Sequence, residues 1–155
     1  MQRTIKGSTL LEVLVVAGIL SAICLSFIGT FVTVSRFHEK NMLAIKAELL
    51  AEEGLEAIRL IKSDDWAGLS SLTPGNTYYF DLATSSWSVT STPEVIDGDF
   101  YRSFKTYSVN RDVSDDIVST GGAVDAGTLL FDVSVHWQWR GATTTANYKA
   151  YMTNL

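Results

Sequence analysis

One uncharged, apolar stretch decides how this chain is organised; it runs from Val13 to Val34 and reads VLVVAGILSAICLSFIGTFVTV. Sixteen of its 22 residues are apolar and none is charged. A helix needs about 20 such residues to cross the hydrocarbon core of a bilayer. A helix at the surface of a soluble core has one polar face, whereas this stretch is apolar all round. The stretch therefore predicts a membrane-spanning helix near the N-terminus.

The charges that flank this stretch predict its orientation. Arg3 and Lys6 lie just before it, while Arg36, Glu39 and Lys40 on the far side nearly cancel. Basic residues are retained on the cytoplasmic side of a membrane. The N-terminus is therefore expected in the cytoplasm, and the rest of the chain is expected to be exported.

Composition limits the classes of fold and function that remain possible for this chain. The chain has 155 residues, of which 46% are hydrophobic, and a formal net charge of −5. This length allows one ordinary domain, and a single cysteine, Cys24, excludes an internal disulfide. The acidic balance disfavours a surface that binds the phosphates of a nucleic acid.

Apolar residues continue at helical spacing beyond the span. Between residues 35 and 62 there is no proline and a single glycine. The apolar stripe consists of Leu43, Ala47, Leu50, Gly54, Ile58 and Ile61. The spacing predicts one helix over residues 8–62, with a length of roughly 80 Å.

The rest of the chain predicts antiparallel strands. In Leu129–Arg140 apolar residues alternate with polar ones, among them His136. Further strands are expected at Tyr78–Leu82, at Trp87–Thr90, at Phe100–Asn110 and after the turn at residues 141–143. A three-stranded meander packed on the amphipathic half of the helix gives an α+β fold.

Catalytic and metal-binding patterns are scarce. His38 and His136 have no cysteine or carboxylate at ligand spacing. Residues 97–99 and 112–116 are rich in aspartate, whose oxygens suit Ca²⁺, but their spacing differs from that of an EF-hand loop. Asp/Gly clusters usually form turns. The sequence therefore predicts no enzyme and no cofactor, with calcium as the single alternative.

The junction before the span carries a family resemblance. Residues 6–16, KGSTLLEVLVV, resemble the class III signal of type IV pilins and type II secretion pseudopilins. The matching features are a short basic leader ending in Gly7, a lone Glu12 and the apolar helix that follows. The resemblance implies that a prepilin peptidase cleaves after Gly7 and N-methylates Ser8. The family usually has Phe or Met at the position of Ser8.

The resemblance also implies an architecture. Residues 1–7 would be the leader, residues 8–34 the membrane span and filament core, and residues 35–62 the amphipathic half of a pilin-like helix. A globular antiparallel β-domain would occupy residues 63–155. Residues 50–59 and the run Val133-x-Val135-x-Trp137 resemble minor pilins of the V/I-like kind.

The role of Glu12 has two interpretations, which are compatible with each other. A carboxylate in an apolar span is costly and by default functional. Cleavage would create a cationic amine on Ser8, which Glu12 of a neighbouring subunit neutralises, so that the pair sets the register between subunits. Alternatively, Thr9-x-x-Glu12 is a capping box at the start of a helix.

These features favour a minor pilin of a type IV pilus-like filament, whose partners are the membrane, the prepilin peptidase and other pilin or pseudopilin subunits. The subunit would sit in the inner membrane and then in a filament at the cell surface or in the periplasm. The first alternative is a minor pseudopilin of a type II secretion or DNA-uptake machine. The second is an uncut single-pass protein that displays a binding domain.

Overall fold

The structure is a computed structural model that describes residues 5–83 and 86–154. One long N-terminal helix is followed by antiparallel sheets, which confirms the α+β class. The chain forms two compact units, Met1–Met42 and Leu43–Leu155. The described part of the first unit is entirely helical, and the second contains the sheets.

Helix α1 runs from Ile5 to Asp64 and includes both the apolar stretch and the amphipathic stretch. It contains no proline, which would remove a backbone hydrogen bond. Asp65 follows it, and its carboxylate accepts a 2.8 Å hydrogen bond from the Gly68 N–H. This bond caps a second helix, α2 (Trp66–Ser70), which was not predicted because five residues carry too little periodicity.

Within the described residues, seven strands follow. They are β1 (Tyr79–Ala83), β2 (Ser86–Thr90), β3 (Glu94–Ile96), β4 (Phe100–Arg111), β5 (Ile117–Val118), β6 (Ala123–Trp139) and β7 (Ala142–Thr153). β1 and β2 form a hairpin, and the larger sheet has the order β3-β4-β6-β7, with β5 paired to β4. All pairs are antiparallel. The predicted meander is confirmed as β4-β6-β7, whereas β3 and β5 are too short to show an alternating pattern.

The predicted start of the longest strand is wrong. The strand predicted over Leu129–Arg140 begins at Ala123 and ends at Trp139. Ser108 pairs with Leu129 while the next residue of β4 pairs with Asp125, so residues 126–128 face no residue of β4. This bulge interrupts the alternation of side chains, which is why the sequence pattern starts only at Leu129.

The core lies between the second half of α1 and the sheet. On β6, Phe131, Val133 and Val135 are fully buried, as their alternation predicted. The predicted stripe of α1 also faces this core, and its members are buried or half-buried. A Cβ added at Gly54 would lie 3.0 Å from Val133 Cγ1, so the glycine permits the helix to approach the sheet closely.

One charged side chain lies within this core. Arg102 on β4 is 1% exposed. Its Nη1 lies 3.1 Å from Glu53 Oε2 on α1, and its Nη2 lies 3.4 Å from Glu94 Oε2 on β3. The guanidinium also stacks 5.0 Å from the ring centroid of Phe80 and 5.3 Å from that of Trp87. Arg102 therefore joins α1, β3 and the β1-β2 hairpin to the central sheet.

Candidate functional site

The apolar stretch of α1 is uncovered within its unit. Every described residue from Thr9 to Met42 is exposed, and Phe27 and Phe31 each expose 73% of their surface. Among the described residues, α1 is the one helix long and apolar enough to cross a membrane, judged by length and composition. Large exposed apolar surfaces mark contacts with membranes or with other proteins. The helix is therefore consistent with single-pass membrane association.

The hydroxyl groups in this stretch are satisfied by the helix itself. The hydroxyls of Ser21, Ser26, Thr30 and Thr33 each donate to the carbonyl four residues earlier, at 2.8–2.9 Å. In an apolar environment an unpaired hydroxyl costs free energy. These bonds let the stretch keep four polar residues without requiring water.

Glu12 is the single charge between Thr9 and Ser35. It lies on the exposed surface of α1, and the described side chains include no basic partner for it. The capping-box prediction is wrong for the uncut chain, because α1 already begins at Ile5 and Thr9 is therefore an interior helical residue. The inter-subunit role of Glu12 stays a prediction.

The predicted processing residues fall at the start of α1. Lys6, Gly7 and Ser8 belong to the first turns of the helix, and Arg3 lies outside the described residues. The peptide bond after Gly7 thus lies in helical backbone. The first four N–H groups of a helix have no partner within it, so these turns are held by fewer hydrogen bonds than the interior of α1.

A second exposed apolar face lies on α1 in the unit Leu43–Leu155. Ile45, Leu49 and Leu60 expose 53%, 60% and 48% of their surfaces. Their spacing of 4 and 11 residues places them on one side of the helix. The sequence pattern missed this face because glutamates at residues 52 and 56 interrupt it.

The candidate catalytic and metal-binding residues are not brought together. His38 is exposed, and Nδ1 of His136 lies 2.8 Å from Thr145 Oγ1. No group of three potential metal-ligating side chains occurs in the described part of the chain. Asp112 Oδ1 accepts hydrogen bonds from the N–H groups of Ser114 and Asp116, so this acidic run is organised as a turn.

Asp125, at the bulge of β6, is the carboxylate that its surroundings perturb most. Hydrogen bonds from the Thr128 hydroxyl, the Arg111 guanidinium and the Gly127 N–H lower the pKa of Asp125 to about 2. The Arg111 Nε–Asp125 Oδ2 distance is 2.7 Å, and Arg111 Nη1 donates to the Asp115 carbonyl at 2.8 Å. The same carboxylate raises the pKa of Arg111. This network holds the bulge and the β4-β5 turn together.

The bulge network predicts a pH dependence of stability. Because the pKa of Asp125 is below its ordinary value of 3.8, its stabilising effect is complete above pH 3.8 and is lost as the pH falls towards 2. We expect Asp125→Asn to lower Tm at pH 5, with a deficit that shrinks towards pH 2. Thermal unfolding of the full chain in detergent at both pH values measures this.

The control for this experiment is Asp99→Asn, which removes an exposed carboxylate outside the network. A Tm deficit for Asp125→Asn that is equally large at pH 5 and pH 2 would contradict the account.

No family model, no curated protein and no solved structure matches this chain.

Proposed function

We propose that the chain is a minor pilin-like structural subunit of a type IV pilus-like filament. A prepilin peptidase removes residues 1–7 by cutting after Gly7, and the subunit then assembles through its N-terminal helix. The observation that supports this best is a lone Glu12 on an apolar helix whose described residues are all exposed as far as Met42. Such an exposed apolar helix requires apolar surroundings along its whole length.

Two environments provide these apolar surroundings, one before and one after assembly. Before assembly, lipid surrounds the span, because 22 uncharged residues match the thickness of the hydrocarbon core. After assembly, the helices of neighbouring subunits replace the lipid. The exposed side chains of Ile45 and Leu49 extend this apolar contact into the part of α1 that belongs to the unit Leu43–Leu155.

Glu12 sets the axial register in this assembly. Cleavage leaves the α-amine of Ser8 as a cation, and methylation preserves that charge. The Glu12 carboxylate of an adjacent, staggered subunit neutralises it in an apolar layer, where either charge alone is costly. The pair thus favours one stagger between neighbouring helices over all others.

The work of the subunit is mechanical, with no reaction of its own. A minor pseudopilin of a type II secretion or DNA-uptake machine would use the same architecture and is the first alternative. Direct DNA capture is disfavoured because the unit Leu43–Leu155 has 8 basic and 15 acidic residues, a net charge of −7. An uncut single-pass protein that displays a binding domain is the alternative of another class.

Processing is the sharpest test of the proposal. In cells that contain a prepilin peptidase, we expect the membrane-extracted protein to have lost residues 1–7, with or without one added methyl group. Intact-mass spectrometry measures both changes. Retention of Met1–Gly7 would support the uncut alternative and reject the prepilin proposal.

Two variants make this test specific. Gly7→Leu is expected to block cleavage, because a large side chain replaces the glycine at the cut. Gly18→Ala is the matched control, since an added Cβ there meets nothing within 4 Å. It should be cleaved to the same extent as the unchanged protein.

A further inference from the structure

The face of the larger sheet that points away from the core contains a trough of about 690 Å³. Strands β4, β6 and β7 form its floor, and Tyr79 and Pro93 line its side next to β4. The volume lies in the range of sites that bind small molecules and short chains. All of the lining residues belong to the unit Leu43–Leu155.

The register of the strands explains the shape of the trough. Ser103 on β4 pairs with Ser134 on β6, so two small side chains lie at the middle of the floor. Tyr101 and Tyr107, on the same face of β4, stand at either end of this floor. The aromatic rings are thus separated by a strip of small and polar groups.

This strip has unused hydrogen-bonding capacity. Ser134 Oγ donates to Asn147 Oδ1 at 2.8 Å, which leaves the two amide N–H groups of Asn147 as donors. Asp132 Oδ2 lies 3.5 Å from Lys149 Nζ, whereas its Oδ1 is buried without a donor among the described residues. Lys105, which pairs with Asp132 across the strands, has no carboxylate partner within the described chain. Donors and acceptors therefore alternate along the trough.

Several classes of ligand fit this surface poorly. The net charge of −7 on the unit repels nucleic acid. A peptide that adds to a sheet pairs with the backbone of a free strand edge, whereas the trough is lined by side chains on the face of β4, β6 and β7. An apolar ligand would leave the carboxylate and amide groups unpaired.

We infer that the trough binds an oligosaccharide. The hydroxyl groups of a sugar both donate and accept, which matches Asn147 next to Asp132, and the C–H faces of sugar rings pack on tyrosine rings such as Tyr101. This inference goes beyond filament assembly and does not depend on it, because it uses no residue of the apolar helix.

The test uses the full chain in a detergent without a sugar headgroup, so that the detergent does not compete. The probes are an array of neutral oligosaccharides of three to six sugars, including chitotetraose. We expect binding of at least one probe, and we expect Tyr101→Ala and Asn147→Ala each to weaken it by about tenfold. The control is Tyr151→Ala, a tyrosine 54% exposed that does not line the trough.

Failure of every probe to bind would overturn the inference. So would binding that Tyr101→Ala and Asn147→Ala leave unchanged, or that Tyr151→Ala weakens as much as they do. An array of unstructured peptides is tested in parallel; binding there that the two trough variants abolish would assign the trough to a peptide instead. Because processing is measured separately by mass, none of these results bears on the filament proposal.

Discussion

Replacing Arg102 by alanine is expected to lower the free energy of unfolding of the unit Leu43–Leu155 by about 3 kcal/mol. Two causes contribute. The substitution removes ion pairs with Glu53 and Glu94. It also empties the space under Phe80 and Trp87, which the nearly buried arginine fills. Thermal unfolding of the full chain in detergent should show a Tm lower by roughly 10 °C or more.

A matched control separates burial from charge. Arg59 forms an ion pair with Glu56 at 2.8 Å, but both side chains are about 60% exposed. Exposed pairs of this kind contribute about 0.5 kcal/mol or less, so Arg59→Ala should change Tm little. Equal effects of the two alanine variants would show that Arg102 contributes no more than a surface charge.

A methionine variant distinguishes the two causes. Arg102→Met restores much of the packing but not the charge, and Glu53 and Glu94 are 50% and 36% exposed and remain hydrated. We therefore expect a loss of stability between those of the unchanged protein and Arg102→Ala. A methionine variant as unstable as the alanine variant would assign the whole effect to the ion pairs and hydrogen bonds of the guanidinium.

Replacing Glu12 by glutamine is expected to reduce incorporation into filaments by about tenfold or more, because the Ser8 amine of a neighbour would stay unpaired in an apolar layer. The measurement compares the amount of the variant in sheared filaments with its amount in the membrane. Intact mass confirms that residues 1–7 are still removed, so that a loss of assembly is not a loss of processing.

Glu39→Gln is the control, because Glu39 is an exposed glutamate of α1 beyond the apolar stretch. It should be incorporated normally. Unchanged incorporation of Glu12→Gln would contradict the charge-pair account of Glu12, although it would leave cleavage after Gly7 untouched.

Much of the architecture was predictable because its signals are local. The length of the apolar run Val13–Val34 and the helical spacing of the stripe after it each indicate a helix. The alternation in Leu129–Arg140 indicates a strand with one buried face, and the residues of that face are buried or half-buried. The bulge before Leu129 was not predictable, since the three extra residues in β6 are visible only against its partner β4.

Some residues singled out above could be recognised from the sequence, and others could not. Glu12 stands out in the sequence because it is one charge in an apolar run, and its exposure on α1 agrees with a role in contacts outside the chain. Arg102 does not stand out, because nothing near it in the sequence indicates burial. Its partners Glu53 and Leu50, whose carbonyl lies 3.2 Å from Arg102 Nη1, are about fifty residues away.

Local sequence patterns account for the long helix, its apolar half and the strands with a buried face, because each follows from the identity and spacing of neighbouring residues. The tertiary structure is needed to show which charges are buried and which polar groups share a surface. Arg102 is enclosed by α1 and two hairpin strands, and the trough between Tyr101 and Tyr107 needs β4, β6 and β7 in register. Such groupings depend on contacts between distant segments, which no local pattern encodes.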